Sequence, residues 1–212
     1  MYHCTYTRED SIFRWTHLQK GIKNNDKKIM GRKCTIALIE KDLAENFLNT
    51  NHIQGFSSAT IYIGAIFEGE IVGVMTFKIC DKNSNSWELT RFATNMNYVC
   101  QGVGGKLFNW FVKHYNPNEV KSFADRRWTV DLENNLYTKL GFQLNEVLKP
   151  DYKYYNNKVN KYKRFHKFNF RKKILHKKYG LSLTMTETEM VKELGYDRIW
   201  DCGLAKYIWF KP

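Results

Sequence analysis

Three groups of residues in this 212-residue chain have the types and spacing to do chemistry. The first is the glycine cluster Gln101-Gly102-Val103-Gly104-Gly105, followed by Lys106, between an expected strand and an expected helix. Glycines let backbone N–H groups approach a pyrophosphate, and the helix N-terminus behind them adds a favourable potential. The cluster is not a Walker loop, because Gly-x-x-x-x-Gly-Lys-Ser/Thr is absent, and no ribose-binding acid follows it. The second group is polar: His52, Glu88, Arg91 and the run Asp125-Arg126-Arg127-Trp128. His52 precedes a glycine turn and is a base near neutral pH, or a structural hydrogen-bonder. Asp125 directly follows an expected strand, where α/β folds place ligand-contacting groups. Arg126, Arg127 and Trp128 can hold a phosphate and stack on a base, or simply form a surface turn. Glu88 and Arg91 fall near the middle of a sheet, where charge needs a partner or a substrate. Strict alternation puts Glu88 and Thr90 on one face, Leu89 and Arg91 on the other. His52, Glu88 and Asp125 are the one mixed set that suits a metal, and no metal site is expected.

The third group is a block of charge. Between Lys149 and Lys178 stand twelve Lys/Arg and a single acid, Asp151, which leaves 22 basic and 20 acidic residues elsewhere. Nearly all of the net charge of +13 therefore sits in one segment, the pattern of a polyanion-binding surface. Lys161, Lys163, Arg164, Lys167, Arg171, Lys172 and Lys173 are its candidate phosphate contacts. Tyr152, Tyr154, Tyr155, Tyr162, Phe165, Phe168 and Phe170 are interleaved with them. Cations suit phosphates and exposed aromatics suit unstacked bases. The alternative is a solvated basic face whose aromatics pack inward. An enzyme acting on a duplex base would need to flip it.

These groups must be positioned by secondary structure. Lys33–Ile39 reads as a strand and Lys41–Asn49 as a helix with Leu43, Ala44, Phe47 and Leu48 at helical spacing. Thr60–Phe67 and Ile71–Phe77 flank Glu68-Gly69-Glu70 as a hairpin. Trp87–Ala93 is a strand. Gly102–Gly105 opens a helix with Leu107, Phe108, Phe111 and Val112 on one face, ended before Pro117. Val120–Ala124 is a strand, Leu132–Leu140 a helix stopped by Gly141, and Phe142–Val147 a strand. In the tail, Asp151–Tyr155 and Val159–Phe165 pair around Asn156-Asn157. Thr186 and Glu189 form a capping box, and Tyr196–Trp200 pairs with Lys206–Phe210 across Asp201-Cys202-Gly203. The order implies an α/β sheet with a crossover connection. Residues 1–31 read as an arm or short helix (Ile12–Leu18), 32–148 as the core and 149–212 as a basic α+β extension. Five dispersed cysteines and no signal pattern suit free thiols in a reducing cytoplasm, and no apolar run suits a membrane span.

The glycine turn together with Leu136-Tyr137-Thr138-Lys139-Leu140-Gly141-Phe142 resembles the GNAT acyltransferase superfamily. The resemblance implies a mixed, mostly antiparallel sheet flanked by helices. It implies acetyl-CoA or another acyl-CoA bound by Gln101 to Lys106, and Tyr137 as proton donor to the departing thiolate. Aligning Gly102 and Gly104 with the family's glycines puts Val99 where Arg or Gln is usual. Aligning Gln101 there instead leaves Lys106 at the second glycine. A narrower resemblance rests on Asn51–Phe56, Trp87–Phe92 and Ser122–Trp128. These look like a phage group of GNAT-like proteins, including domains attached to homing endonucleases and, more distantly, the Mom DNA-adenine modification family. It implies transfer of an acyl-CoA-derived group to the exocyclic amine of adenine in phage DNA, in a host cytoplasm; on the reading of the residues themselves, Asp125, His52 or Glu88 would position or deprotonate the acceptor amine. The alternatives are a non-catalytic DNA-binding module and an N-acetyltransferase acting on a small amine or protein lysine.

Overall fold

In the computed structural model, residues 27–156 and 158–212 are described, and they divide into two units. The expected Ile12–Leu18 helix lies outside the described residues. The larger unit comprises residues 27–148 and 204–212, and the smaller runs from Lys149 to Gly203. The expected extension therefore ends early: its last strand belongs to the larger sheet. At the other end, Lys28–Met30, expected in the arm, is a strand of the larger unit.

The larger unit is built on a seven-stranded sheet. Its strands in chain order are β2 (Thr35–Leu38), β3 (Ile61–Phe67), β4 (Glu70–Asp81), β5 (Ser86–Thr94), β7 (Glu119–Asp125), β8 (Gln143–Val147) and β12 (Leu204–Phe210). In space they run β2-β3-β4-β5-β7-β12-β8, and only β5 and β7 are parallel. A separate parallel pair joins β1 (Lys28–Met30) to β6 (Val99–Gln101). Glu68 (φ 51°) and Gly69 (φ 81°) form the β3–β4 turn, both in the left-handed region that a two-residue hairpin loop demands.

Helix α1 (Lys41–Asn51) and helix α2 (Val103–Tyr115) cover the sheet. Ala44 and Leu48 of α1 pack with Val74 and Ala93. Val103, Leu107, Phe108 and Phe111 of α2 are buried at helical spacing against Phe77, Trp87 and Leu89. Phe111 is the hinge of this packing, stacked on Phe77 (centroids 3.6 Å apart) and edge-on to Trp87 (5.4 Å). The expected helix over Leu132–Leu140 shrinks to one turn, α3 (Leu136–Lys139). Asp131 accepts from the Glu133 and Asn134 N–H groups, and Asn135 accepts from those of Tyr137 and Thr138. Such local bonds compete with helix bonds, so Asn135 becomes a cap rather than an interior residue.

The smaller unit has its own sheet, β10 (Asn160–His166), β9 (Tyr152–Asn156) and β11 (Asp197–Trp200) in that spatial order. The hairpin of β9 and β10 is as expected, but β11 pairs with β9, not with β12. The β11–β12 hairpin is thus replaced by strands in two different sheets. Helices α4 (Lys172–Tyr179) and α5 (Glu187–Glu193) complete this unit, with the Thr186–Glu189 capping box formed. Its core is Tyr154, Phe170, Leu175, Met190 and Val191. Among the described residues no helix is long and apolar enough to cross a membrane.

Candidate active site

The parallel strands β5 and β7 pair only from Ser86↔Glu119 to Leu89↔Ser122 and then part. Ser122, 2% exposed, donates its hydroxyl to the Leu89 carbonyl (2.9 Å), closing the apex of the gap from inside. Beyond it lies a cleft of about 170 Å³. Its walls include His52 and Gln54 after α1, Thr90 to Phe92 on β5, Phe123 and Asp125 on β7, and Trp128, Leu136 and Tyr137 beyond β7.

A β-bulge explains the divergence. Thr76 of β4 faces Arg91 and Phe77 faces Leu89, so Thr90 is an extra residue on β5. Its hydroxyl bonds the buried Thr76 hydroxyl (2.7 Å). The bulge also shifts the alternation by one. Trp87, Leu89 and Phe92 share the α2 side, whereas Ala93 packs with α1. Arg91 is thereby carried to the face of Glu88, against the strict alternation expected from sequence, and Glu88 holds it electrostatically without forming an ion pair. Arg91 donates from Nε to the Gly55 carbonyl (3.0 Å) and from Nη1 to the Thr90 carbonyl (2.7 Å). Burial pushes the guanidinium below its ordinary value, opposed by Glu88 and Tyr137.

The other expected residues sort cleanly. Tyr137 lines the cleft and stacks on Tyr207 of β12 (4.8 Å, 13°), with its backbone fixed by Asn135. Burial raises its phenol, opposed in part by Ser122 and Arg91. His52 lines the cleft as the C-cap of α1, and its Nδ1 accepts from the Gln54 N–H (3.0 Å). Asp125 lines the cleft too, but Arg127 closes on its carboxylate through Nε (2.9 and 2.8 Å), Nη2 and its backbone N–H (3.0 Å). An Asp held this way braces the turn that carries Trp128. Arg126 is exposed on that turn. Glu88 does not line the cleft.

The glycine cluster sits where it was expected, at the α2 N-terminus. Gly102 is its N-cap at φ 73°; among the described residues no side chain caps the first turn, and a Cβ on Gly102 or Gly105 would meet nothing within 4 Å. The first-turn N–H groups are therefore open to an anion. Gly104 faces inward: a Cβ there would lie 3.1 Å from Phe92 and 3.4 Å from Leu136, both cleft residues. This contact joins the turn to the cleft. Gln101 and Gly102 are exposed and Val103 is buried in the core. Lys106 departs from its expected role. Its ammonium donates to the carbonyls of Cys34 and Arg32 (3.2 Å to the latter), tying α2 to the turn before β2.

The basic candidates lie in the smaller unit, where the aromatics mostly pack inward, contrary to the reading that they are exposed to bases. Tyr154 and Phe170 are buried, Phe165 and Tyr152 pack on them, and Phe168 is exposed, 49% accessible, under Arg171 (4.3 Å). Lys163 lies over Phe165 and Arg164 over Tyr155. Lys167 pairs with Asp151 (2.7 Å). Lys172 and Lys173 open α4, and Lys161 is a residue of β10.

Sequence reading missed the bulge, the Ser122 lock and the Tyr207 stack. The bulge left a trace, since apolar residues at Trp87, Leu89 and Phe92 break a period of two. Nothing local announces that Tyr207, 70 residues after Tyr137, stacks on it.

The model of the acetyltransferase (GNAT) family matches residues 33–142. Among solved structures, similarity extends to a GNAT family acetyltransferase from Elizabethkingia anophelis with acetyl-CoA bound. It is 15% identical, covers 84% of this chain and 99% of that one, and has a TM-score of 0.45. A Bacillus subtilis acetyltransferase in complex with CoA is 14% identical over 85% of this chain and 100% of that one, TM-score 0.49. The spermidine/spermine N-acetyltransferase SpeG from Vibrio cholerae is 9% identical over 85% and 94%, TM-score 0.49. No curated protein matches the chain.

Proposed function

Because the chain belongs to the GNAT acetyltransferase family, we propose that it transfers an acyl group from acyl-CoA to an amine held in the β5/β7 cleft, and that this amine is the exocyclic amine of adenine in DNA. One observation carries the transferase reading. The open α2 N-terminus packs through Gly104 onto Phe92 and Leu136, so an anion-binding turn adjoins a cleft that contains a phenol. The residues fit the donor: a first turn without a side-chain cap and open space at Gly102 and Gly105 suit a pyrophosphate. When bound, acyl-CoA supplies a thioester carbonyl for attack by an amine. The α2 amides would hold the phosphates, and Tyr137 would give its phenol proton to the thiolate that leaves as the C–N bond forms and the C–S bond breaks; the proton lost by the attacking amine would restore the phenol, which burial keeps protonated at neutral pH. The cleft walls orient the acceptor, a contribution that grows as water is excluded.

Two features support DNA as the acceptor. The three segments that resemble the DNA-modifying group, Asn51–Phe56, Trp87–Phe92 and Ser122–Trp128, all contribute walls to the same cleft. The smaller unit carries the charge block, with Asp151 as the one acid from Lys149 to Lys178 and already paired with Lys167. The test is mass spectrometry of nucleosides from DNA incubated with acetyl-CoA and either wild type or Tyr137→Phe. An acylated deoxyadenosine made by wild type and reduced in the variant is expected. Unmodified DNA alongside acetylation of small amines would assign the acceptor elsewhere. No acyl transfer to either would remove the transferase reading.

A further inference from the structure

Arg91 brings to the cleft a positive charge that the cleft does not neutralise. Two of its three nitrogens are anchored to backbone, Nε to Gly55 and Nη1 to Thr90, and Nη2 has no hydrogen-bond acceptor among the described residues. The anchors sit on the bulge and on the turn after α1, so the guanidinium plane is fixed by two separate elements. Asp125 is the one carboxylate lining the cleft among the described residues, and Arg127 occupies it. Glu88 acts on Arg91 from outside the cleft wall. A partly buried cation with an open donor is costly unless a ligand completes its pairing. A planar, pre-oriented guanidinium matches carboxylate and phosphate oxygens better than any other side chain does.

We propose that Arg91 anchors an anionic oxygen group, carboxylate or phosphate, on the acceptor amine, so that the cleft selects amines bearing such a group and rejects cationic polyamines. The inference rests on the acyl-transfer reading for the word acceptor, but the anion site itself does not. A polyamine would bring like charge to Arg91 and find no open carboxylate in the lining. A phosphate flanking a nucleobase, or the carboxylate of an amino acid, would instead complete the unfinished fork.

The test follows the Arg91 Nε–H resonance in wild-type protein saturated with CoA, which keeps added anions off the α2 N-terminus. Inorganic phosphate, acetate and spermidine are titrated at constant ionic strength. Phosphate or acetate should shift the resonance saturably, and spermidine should not. Arg91→Gln should weaken anion binding by about 10-fold or more, the loss of one charged hydrogen bond. Arg91→Lys, which keeps charge without the fork, should fall between. The source is read from matched pairs. Deoxyadenosine 5′-phosphate is compared with deoxyadenosine, and an amino acid with its methyl ester; the pair that loses binding names the group. An unmoved resonance, unchanged binding in Arg91→Gln, or tighter binding of spermidine than of either anion would overturn the proposal. If the protein does not bind CoA, the anion titrations are repeated without it. A retained Arg91 response then sustains the anion site while the acyl-transfer reading falls.

Discussion

Replacing Gly31 with alanine should damage donor binding from outside the cleft. A Cβ at Gly31 would stand 2.7 Å from the carbonyl carbon and oxygen of Gly102 and 2.9 Å from the amide nitrogen of Val103. All three are backbone atoms, so no side-chain rotation can relieve the clash, and either the turn or the β1 strand end must shift. Overpacking of this kind costs about 1–3 kcal/mol of stability. The same shift displaces the N–H groups that open α2. Losing one hydrogen bond to a charged ligand costs about 1.5–3 kcal/mol, which is about 10- to 100-fold in affinity. Calorimetric titration of CoA into wild type and Gly31→Ala measures the binding change, and urea unfolding measures the stability change separately. A folded variant that binds CoA within about twofold of wild type would refute the reasoning, since the Gly31 contact would then not set the turn.

Tyr137→Phe should lower kcat by about 10²- to 10⁴-fold and leave the KM for acyl-CoA unchanged, checked by steady-state kinetics. Because burial raises the Tyr137 phenol, its contribution to stability is fully present below the ordinary value of 10.0 and is lost as pH rises through the folded value. Urea unfolding of wild type and Tyr137→Phe from pH 9 to 11 should show that excess loss in wild type. Phe111→Ala removes a buried ring stacked on Phe77 and should cost about 3–5 kcal/mol in the same assay. Replacing Arg171, Lys172 and Lys173 together by alanine should weaken DNA binding and lower the slope of log K against log salt by about 3, read by fluorescence anisotropy. Lys167→Ala should change DNA affinity less than any one of these, because Lys167 is paired with Asp151.

Much of this arrangement was legible in the sequence because it is local. The turn at Glu68-Gly69, the amphipathic face of α2 and the Thr186–Glu189 box each depend on residues a few positions apart. The glycine cluster and Leu136–Phe142 likewise pointed to the fold that the family match bears out. What the sequence concealed depends on distant partners. The strand Leu204–Phe210 looks like the second arm of a hairpin, yet it inserts between β7 and β8, pairing with β7 along its whole length from Leu204↔Asp125 to Phe210↔Glu119. Asp125 looks like a free carboxylate in the sequence, whereas Arg127, two residues on, folds back onto it. Lys106 looks like a phosphate contact until the carbonyls of Arg32 and Cys34, more than 70 residues earlier, take its ammonium. Alternation misassigns Arg91 because one extra residue, Thr90, reverses the faces beyond it.

The account stands most directly on the donor site, and isothermal titration of acetyl-CoA into the wild-type protein tests it. The account predicts saturable binding at one site per chain, weakened in Gly31→Ala and little changed in Tyr137→Phe. Absence of saturable binding, or binding indifferent to Gly31→Ala, would contradict it.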